Sequence, residues 1–242
     1  SDYERQNPYR QYWYPATPQA KANIDFHTPS NFGPKFAGQR ILGGWHFNFV
    51  GDWQDGSSIT WNPKSIPGLR YNLDMVDYYN LNLKIAKVFD FGRAKVKLFA
   101  DVYNMLNTKR FSNESFVDIH DYNDYMYSMH LDESQYDRLG YKGIPGDDQF
   151  GVYRDEDVKF QPMEYTSNYE TVSDPSGRAI YYDGTKEDYF HYQDGEWSEV
   201  DDSRIDKVLE DKAYIDMPNQ QFFTFLSPRD VFVGLTVSFD LR

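Results

Sequence analysis

The segment Val231 to Leu241 constrains the fold more than any other part of this chain. One face carries Val231, Val233, Leu235, Val237, Phe239 and Leu241, and the other carries Gly234, Thr236, Ser238 and Asp240, with Phe232 as its only apolar residue. Period-two alternation is typical of a β-strand with one apolar and one polar face. At ~3.3 Å per residue and a tilt of ~40°, the segment spans roughly 25 Å, the height of the lipid-facing band of an outer-membrane barrel. The pattern therefore predicts a membrane-spanning strand.

Four upstream segments show the same alternation: Lys21 to His27, Leu42 to Gln54, Tyr79 to Ile85 and Ala94 to Val102. Only the short stretch Asp90 to Arg93 separates the last two. Its glycine, Gly92, supplies the positive φ that a tight hairpin often requires. The fold class predicted from these patterns is all-β, with antiparallel strands that form part of a transmembrane β-barrel.

The connections between the predicted strands alternate in length. The links near residues 31–34 and 90–93 are short, whereas those at 55–74 and 112–221 are long. Outer-membrane barrels have short periplasmic turns and long external loops. This comparison predicts that both long links are external and that the C-terminus lies in the periplasm.

The negative charge of the chain is concentrated in one block. Residues 112–221 hold 27 acidic and 9 basic side chains, and the remainder holds 11 acidic and 16 basic. A block this polar cannot cross lipid, but it suits an external loop or a small inserted subdomain. We therefore expect three parts: residues 1–111 with barrel strands and loops, 112–221 as a long, partly structured external loop, and 222–242 as the final strand.

Local signals predict structure inside the acidic block. Residues 178–200, with turns at Asp183-Gly184 and Asp194-Gly195, have the pattern of a small β-meander. A helix is predicted over 203–212 with Ser203 as its N-cap, and another over 122–130.

Three aromatic residues suit the membrane interface. Trp45 and Trp53 share one face of a predicted strand, eight positions apart, and Phe239 lies near the end of the last strand. Such residues form the aromatic girdles of outer-membrane barrels. The alternative is that the two tryptophans belong to the core of a β-sandwich.

Three stretches carry a resemblance to a known family. They are Leu42-Gly43-Gly44-Trp45-His46-Phe47-Asn48-Phe49 followed by Gly56, Lys97 to Asn107 with its Asp-Val-Tyr-Asn-Met-Leu-Asn block, and Ser227 to Val231. Together they resemble the C-terminal barrel region of TonB-dependent outer-membrane receptors of the Bacteroidetes-like type. The resemblance implies a plugged barrel of about 22 strands, of which this chain holds about the last five. It also implies a TonB energy-coupling complex as partner, acting through a missing N-terminal region.

The strand count supports a longer chain. A closed single-chain barrel takes at least ~8 strands, and an unpaired edge in lipid costs several kcal/mol for each backbone group. Five strands alone are too few. The first residues do not read as a signal peptide, so we expect either that one was removed or that this is the tail of a longer chain.

No signature of catalysis, cofactor binding or nucleic-acid binding is present in the sequence. The five histidines are not at zinc-ligand spacings, and there is no cysteine for a thiolate site. The acidic residues at 147–148 and 155–157 offer oxygen ligands for calcium, but their spacing matches no known ion loop and favours a solvated surface. The acidic balance repels polyanions. We expect a non-enzymatic protein with neither cofactor nor metal.

The tyrosine-rich acidic block contains the candidate ligand-binding residues. They are Tyr122, Tyr125, Tyr127, Tyr181, Tyr182, Tyr189, Tyr192 and Trp197. Aromatic rings stack on sugar or peptide ligands at little entropic cost. The alternative, which the scarcity of aliphatic residues favours, is that these rings form the small core of the block.

These observations predict the C-terminal part of an active solute transporter in the bacterial outer membrane, in contact with lipid and with an unidentified solute. Two other classes of protein stay open. One is a passive porin-like or structural barrel, and the other is a soluble β-rich carbohydrate-binding module.

Overall fold

The computed structural model describes residues 15–109, 111, 115–217 and 228–239. Within these ranges the chain is mainly antiparallel β-sheet with three α-helices. It divides into two compact units. The first, the sheet unit, comprises residues 17–56, 77–109, 111 and 228–239, and the second, the helical unit, comprises 15–16, 57–76 and 115–217. Residues 57–76 thus belong with the acidic block, whereas the sequence-based division placed them with residues 1–111.

The sheet unit is built on five long strands. They are β1 (Gln19–His27), β4 (Trp45–Gln54), β7 (Tyr78–Asp90), β8 (Ala94–Tyr103) and β13 (Asp230–Phe239). Their order in the sheet is β1-β4-β7-β8-β13, and every neighbouring pair is antiparallel. Among the described residues the sheet is open and no closed barrel forms. The five predicted strands are confirmed; residues 240 and 241 lie outside the described ranges.

The strand register places residues of similar polarity beside one another across the whole sheet. One row runs through Phe26, Phe47, Ile85, Ala100 and Val233. The next row on the same face is Ile24, Phe49, Leu83, Val102 and Val231. Because side chains alternate between faces, these rows form one apolar face shared by all five strands.

The opposite face of the sheet is mostly polar. One of its rows runs through Asp25, Asn48, Lys84, Asp101 and Phe232. The side chains are joined to one another: the Asn48 amide donates to Asn23 over 2.6 Å, and Lys21 lies 3.2 Å from Asp52. This face is referred to below as the polar face.

The ends of the sheet differ in their connections. Residues 91–93 form the β7–β8 turn, and 28–44 connect β1 to β4, both at one end. The long links 55–77 and 104–229 leave the other end. Strand β4 begins at Trp45 rather than Leu42 because Gly44 takes a positive φ of 70° there. A short hairpin, β2 (Lys35–Phe36) and β3 (Gln39–Arg40), lies within the 28–44 link.

The helical unit contains a four-stranded sheet of order β12-β11-β10-β9. Its strands are β9 (Met163–Thr166), β10 (Ile180–Asp183), β11 (Asp188–Gln193) and β12 (Glu196–Glu199). The last three strands form the predicted meander, whereas β9 was not predicted and pairs with β10 in parallel. A further pair, β5 (Ser58–Ile59) and β6 (Leu73–Asp74), comes from the first long link.

The helices of this unit are α1 (Ile119–Ser128), α2 (Glu133–Leu139) and α3 (Asp202–Glu210). Prediction missed α2 and placed α1 about three residues late. The predicted N-cap of α3, Ser203, is wrong: Asp201 caps the helix, because its carboxylate accepts from the Ser203 amide at 3.0 Å. None of the described helices is long and apolar enough to cross a membrane.

Aromatic residues fill the core of the helical unit. Trp61, from the first long link, packs edge-on against Tyr122 and Tyr127 of α1, with ring centroids 5.8 and 5.2 Å apart. Phe150 contacts the fully buried Tyr125 in the same edge-on geometry. These contacts bury the apolar face of α1 and attach residues 57–76 to the acidic block.

Candidate ligand cleft

The helical unit contains a cleft of about 280 Å³. Its lining is contributed by the end of α1 and the following loop, by α2 and residues 141–144, by the approach to β9, and by Tyr214. The side chains that line it are largely aromatic: Tyr127, His130, Tyr136, Tyr141, Phe160, Tyr165 and Tyr214. We refer to it as the aromatic cleft.

The wall of the aromatic cleft is organised around a buried carboxylate. The Asp148 side chain has no exposed surface. It accepts hydrogen bonds from the His130 amide at 2.7 Å, the Tyr214 hydroxyl at 2.7 Å and the Lys212 ammonium at 2.6 Å. Hydrogen bonds of this kind, in which one partner is charged, are shorter and stronger than neutral ones. They fix the positions of His130 and Tyr214 in the wall.

His130 is the most unusual polar group in this wall. The residue as a whole is 4% exposed, and its Nδ1 has no hydrogen-bond partner among the described residues. Burial, reinforced by the positive charge of Lys212, lowers the pKa of His130 to about 3. The imidazole is therefore neutral at physiological pH, and Nδ1 is an unused donor or acceptor, depending on the tautomer.

Tyr136 joins several segments of the cleft lining. Its buried hydroxyl accepts from the Leu131 amide at 3.0 Å and lies 2.9 Å from the Ile144 carbonyl. A Cβ at Gly143 would lie 2.4 Å from the Tyr136 ring, so only glycine fits there. Burial raises the pKa of both Tyr136 and Tyr214, and the charge of Asp148 adds to the effect at Tyr214. Both phenols therefore stay protonated.

The cleft offers aromatic rings, phenol hydroxyls and a neutral imidazole, with the Lys142 side chain among its lining residues. These groups suit stacking and hydrogen bonding to a small neutral or anionic ligand. In the described part of the chain, no cluster of three or more histidine, cysteine or carboxylate side chains could hold a metal ion. Asp148, which the sequence pattern grouped among possible calcium ligands, instead accepts internal hydrogen bonds.

The structure places the predicted ligand-binding tyrosines mostly outside this cleft. Tyr125, Tyr181 and Tyr182 are buried, and the Tyr125 hydroxyl donates to the Val152 carbonyl at 2.6 Å. Rings without an exposed face cannot stack on a ligand, so these three act as core residues. Tyr122, Tyr189, Tyr192 and Trp197 are half-buried, and of the tyrosines considered only Tyr127 lines the cleft.

Trp197 belongs to a separate aromatic cluster on the small sheet. Its ring lies 5.3 Å from Tyr181, 5.2 Å from Tyr192 and 5.1 Å from Tyr169. Tyr169 in turn stacks on Phe190 at 3.9 Å. Burial raises the pKa of the neighbouring Tyr189 to about 12. In this cluster the rings pack against one another on the four-stranded sheet of the helical unit.

Sequence reasoning missed most of the aromatic cleft because distant segments build it. Asp148 is 64 residues from Lys212 and 66 from Tyr214. No local pattern joins them. The only sequence signal was the excess of tyrosine in the acidic block.

A second concave region lies on the polar face of the sheet unit. It has a volume of about 300 Å³ and is lined by His46, Asn48, Lys84, Lys97 and Asp101, among others. These charged and amide side chains come from three neighbouring strands. Such a surface suits contact with water and a polar solute.

The three predicted interface aromatics lie at the ends of the strands. The Trp45 indole donates to the Ile41 carbonyl at 2.9 Å, and the Trp53 indole donates to Asp77 at 3.0 Å. Phe239 ends the described part of β13 and is exposed. The positions of the two tryptophans, at opposite ends of β4, fit aromatic girdles, and their membrane role stays a prediction.

Comparison with protein-family models, with curated proteins and with solved structures found no match to this chain.

Proposed function

We propose that this chain is the C-terminal part of a TonB-dependent transporter that takes up a solute across the bacterial outer membrane. The observation that carries the proposal is the apolar face of the five-stranded sheet. Its residues are in register over all five strands. Those on the edge strands β1 and β13 are exposed, as Ile24 at 62% and Val233 at 81% show, and those named above on the three inner strands are half-buried. A continuous apolar surface of this extent has a lower free energy in contact with lipid than in contact with water.

Two features add support. The short and long connections lie at opposite ends of the sheet, as periplasmic turns and external loops do in outer-membrane barrels. The polar face has the charged and amide residues expected of a water-filled lumen. In the proposal the five strands form part of a barrel of about 22 strands, with the C-terminus in the periplasm.

The helical unit is the proposed external, solute-capturing part of the transporter. Both long connections contribute to it, and external loops commonly carry binding residues on a rigid scaffold. The aromatic cleft is the proposed contact for the solute.

Uptake measured with the complete protein in cells tests the proposal. We expect uptake to require the proton-motive force and the energy-coupling complex, because a plug in the lumen prevents free diffusion. Deletion of residues 112–221 should weaken solute capture and leave membrane insertion intact. Uptake that persists after the proton gradient is collapsed would identify a passive porin-like channel instead. A complete protein that stays in the aqueous fraction would identify the soluble carbohydrate-binding module.

A further inference from the structure

The β2–β3 hairpin lies against the turn end of the apolar face. The Lys87 ammonium, which projects from this face, donates to the Arg40 carbonyl at 2.7 Å, to the Ile41 carbonyl at 3.1 Å and to the Gly43 carbonyl. The Gln39 amide donates to the Asp90 carbonyl at 3.0 Å. These bonds hold the hairpin to strand β7.

An apolar groove of about 480 Å³ lies between the hairpin and the sheet. Its lining includes Phe36 and Ile41 from the hairpin region, and Trp45, Phe89, Leu98 and Val233 from the strands. Phe36 is 72% exposed. Almost all of the lining is hydrocarbon, so the groove suits an alkyl chain better than a polar solute.

Several cations lie at this end of the sheet, in and beside the hairpin. Lys35 and Arg40 are directly opposite each other in the hairpin, and Arg93 lies in the nearby β7–β8 turn. Within the described ranges, none of these side chains, nor that of Lys87, forms an ion pair with a carboxylate. Like charges directly opposite in an antiparallel pair repel each other. The Arg40 guanidinium donates to the Gly33 carbonyl. Its other N–H groups can bind an anion placed between Lys35 and Arg40, which would relieve this repulsion.

The hairpin is therefore amphipathic. Phe36 and Gln39 form its second residue pair and project to the face opposite Lys35 and Arg40. One face of the hairpin contributes to the apolar groove, and the other carries two cations. This arrangement matches the boundary of a bilayer, where acyl chains meet anionic headgroups.

We propose that the groove and the hairpin cations form a binding site for one anionic glycerophospholipid, with an acyl chain in the groove and its phosphate at Lys35 and Arg40. The proposal rests on the proposed function, because it requires the apolar face to lie in a bilayer. Lys87 contributes a third positive charge from within the groove, and its three backbone acceptors leave it fixed in position.

The test uses the complete protein inserted into vesicles of phosphatidylcholine that contain a minor fraction of phosphatidylglycerol. After mild detergent extraction, native mass spectrometry counts the lipids retained by each protein. We expect one phosphatidylglycerol per chain in the wild type. The double variant Lys35→Gln, Arg40→Gln should retain roughly 25-fold less, since each basic residue adds about a fivefold preference for anionic lipid and the two contributions multiply.

Two further variants isolate the site. Lys159→Gln with Lys207→Gln removes the same charge from the helical unit and should retain phosphatidylglycerol as the wild type does. Val233→Trp, at an exposed position of the groove lining, should lower retention without changing any charge. Two results would overturn the site. One is that the wild type and the hairpin variant retain phosphatidylglycerol equally, and the other is that the wild type retains phosphatidylcholine as well as phosphatidylglycerol. Failure of the wild type itself to insert would instead overturn the membrane function on which the site rests.

Discussion

The imidazole of His130 stacks on the phenol ring of Tyr214, with ring centroids 3.6 Å apart and planes 8° from parallel. The same two residues are tied to Asp148, which accepts from the backbone amide of one and the hydroxyl of the other. A neutral imidazole is compatible with this buried position, whereas a charged one would face the Lys212 ammonium without solvent. We therefore expect the stability of the helical unit to depend on pH.

The first prediction concerns that pH dependence. In the folded chain burial lowers the pKa of His130 to about 3, whereas an unfolded histidine titrates at about 6.5. The unfolded state therefore binds more protons between these values, so stability is full above the unfolded pKa and is lost as the pH falls towards the folded one. We expect a loss of about 2 kcal/mol between pH ~7 and ~5, measured as the unfolding free energy in urea.

The variant His130→Phe provides the comparison. Phenylalanine keeps a flat ring against Tyr214 and removes the unpaired Nδ1 and the ionisable group. Its unfolding free energy should change much less over the same pH interval. Parallel pH profiles for the wild type and this variant would show that His130 is not the group responsible.

The second prediction concerns Asp148 and its exposed neighbour. Asp148→Asn removes the charge that accepts from Tyr214 and Lys212, and we expect it to lower the unfolding free energy by about 2–3 kcal/mol. Asp147→Asn is the matched control, because the Asp147 side chain is 98% exposed. It should change stability by less than about 0.5 kcal/mol. Similar values for both variants would contradict the central role of Asp148 in the cleft wall.

The sheet unit was predictable because its pattern is local. Alternation alone located all five strands, and the register confirms that the apolar residues of each strand share one face. The ends were less predictable: β7 runs to Asp90, five residues beyond the predicted Ile85. The last residues of this strand include Lys87, which lies on the apolar face. The local sequence pattern does not predict a lysine there, and backbone carbonyls stabilise its ammonium group.

The helical unit was less predictable because its contacts are distant in sequence. Trp61 packs on Tyr122 from another link, and β9 pairs with β10 in parallel. The N-cap error at α3 has a local cause. Three adjacent residues, 201–203, are all good N-caps, and propensity does not decide between them.

The third prediction concerns a glycine on the polar face. Phe99 is the cross-strand partner of Gly234, and a Cβ at this glycine would lie 2.2 Å from the phenyl ring. Gly234→Ala should therefore displace the ring and destabilise the folded sheet by about 1–3 kcal/mol. At Gly51 the nearest atom would be 3.9 Å away, so Gly51→Ala should be neutral or stabilising by up to about 1 kcal/mol. Urea titration of the complete protein after reconstitution measures both, and equal effects would contradict the packing.

The last prediction tests which face of the sheet meets lipid. Leu235 is 60% exposed on the apolar face and pairs with Leu98, whereas its neighbour Thr236 is on the polar face and pairs with Lys97. If the apolar face lies in a bilayer, Leu235→Arg places a charge in hydrocarbon and should cost about 2–4 kcal/mol. Thr236→Arg places the same charge towards water and should cost less than about 1 kcal/mol, mainly through repulsion from Lys97. The measurement is reversible folding of the complete protein into lipid vesicles. Equal tolerance of arginine at the two positions, or the opposite order, would remove the basis for the membrane assignment, because both variants add the same side chain to adjacent residues of one strand.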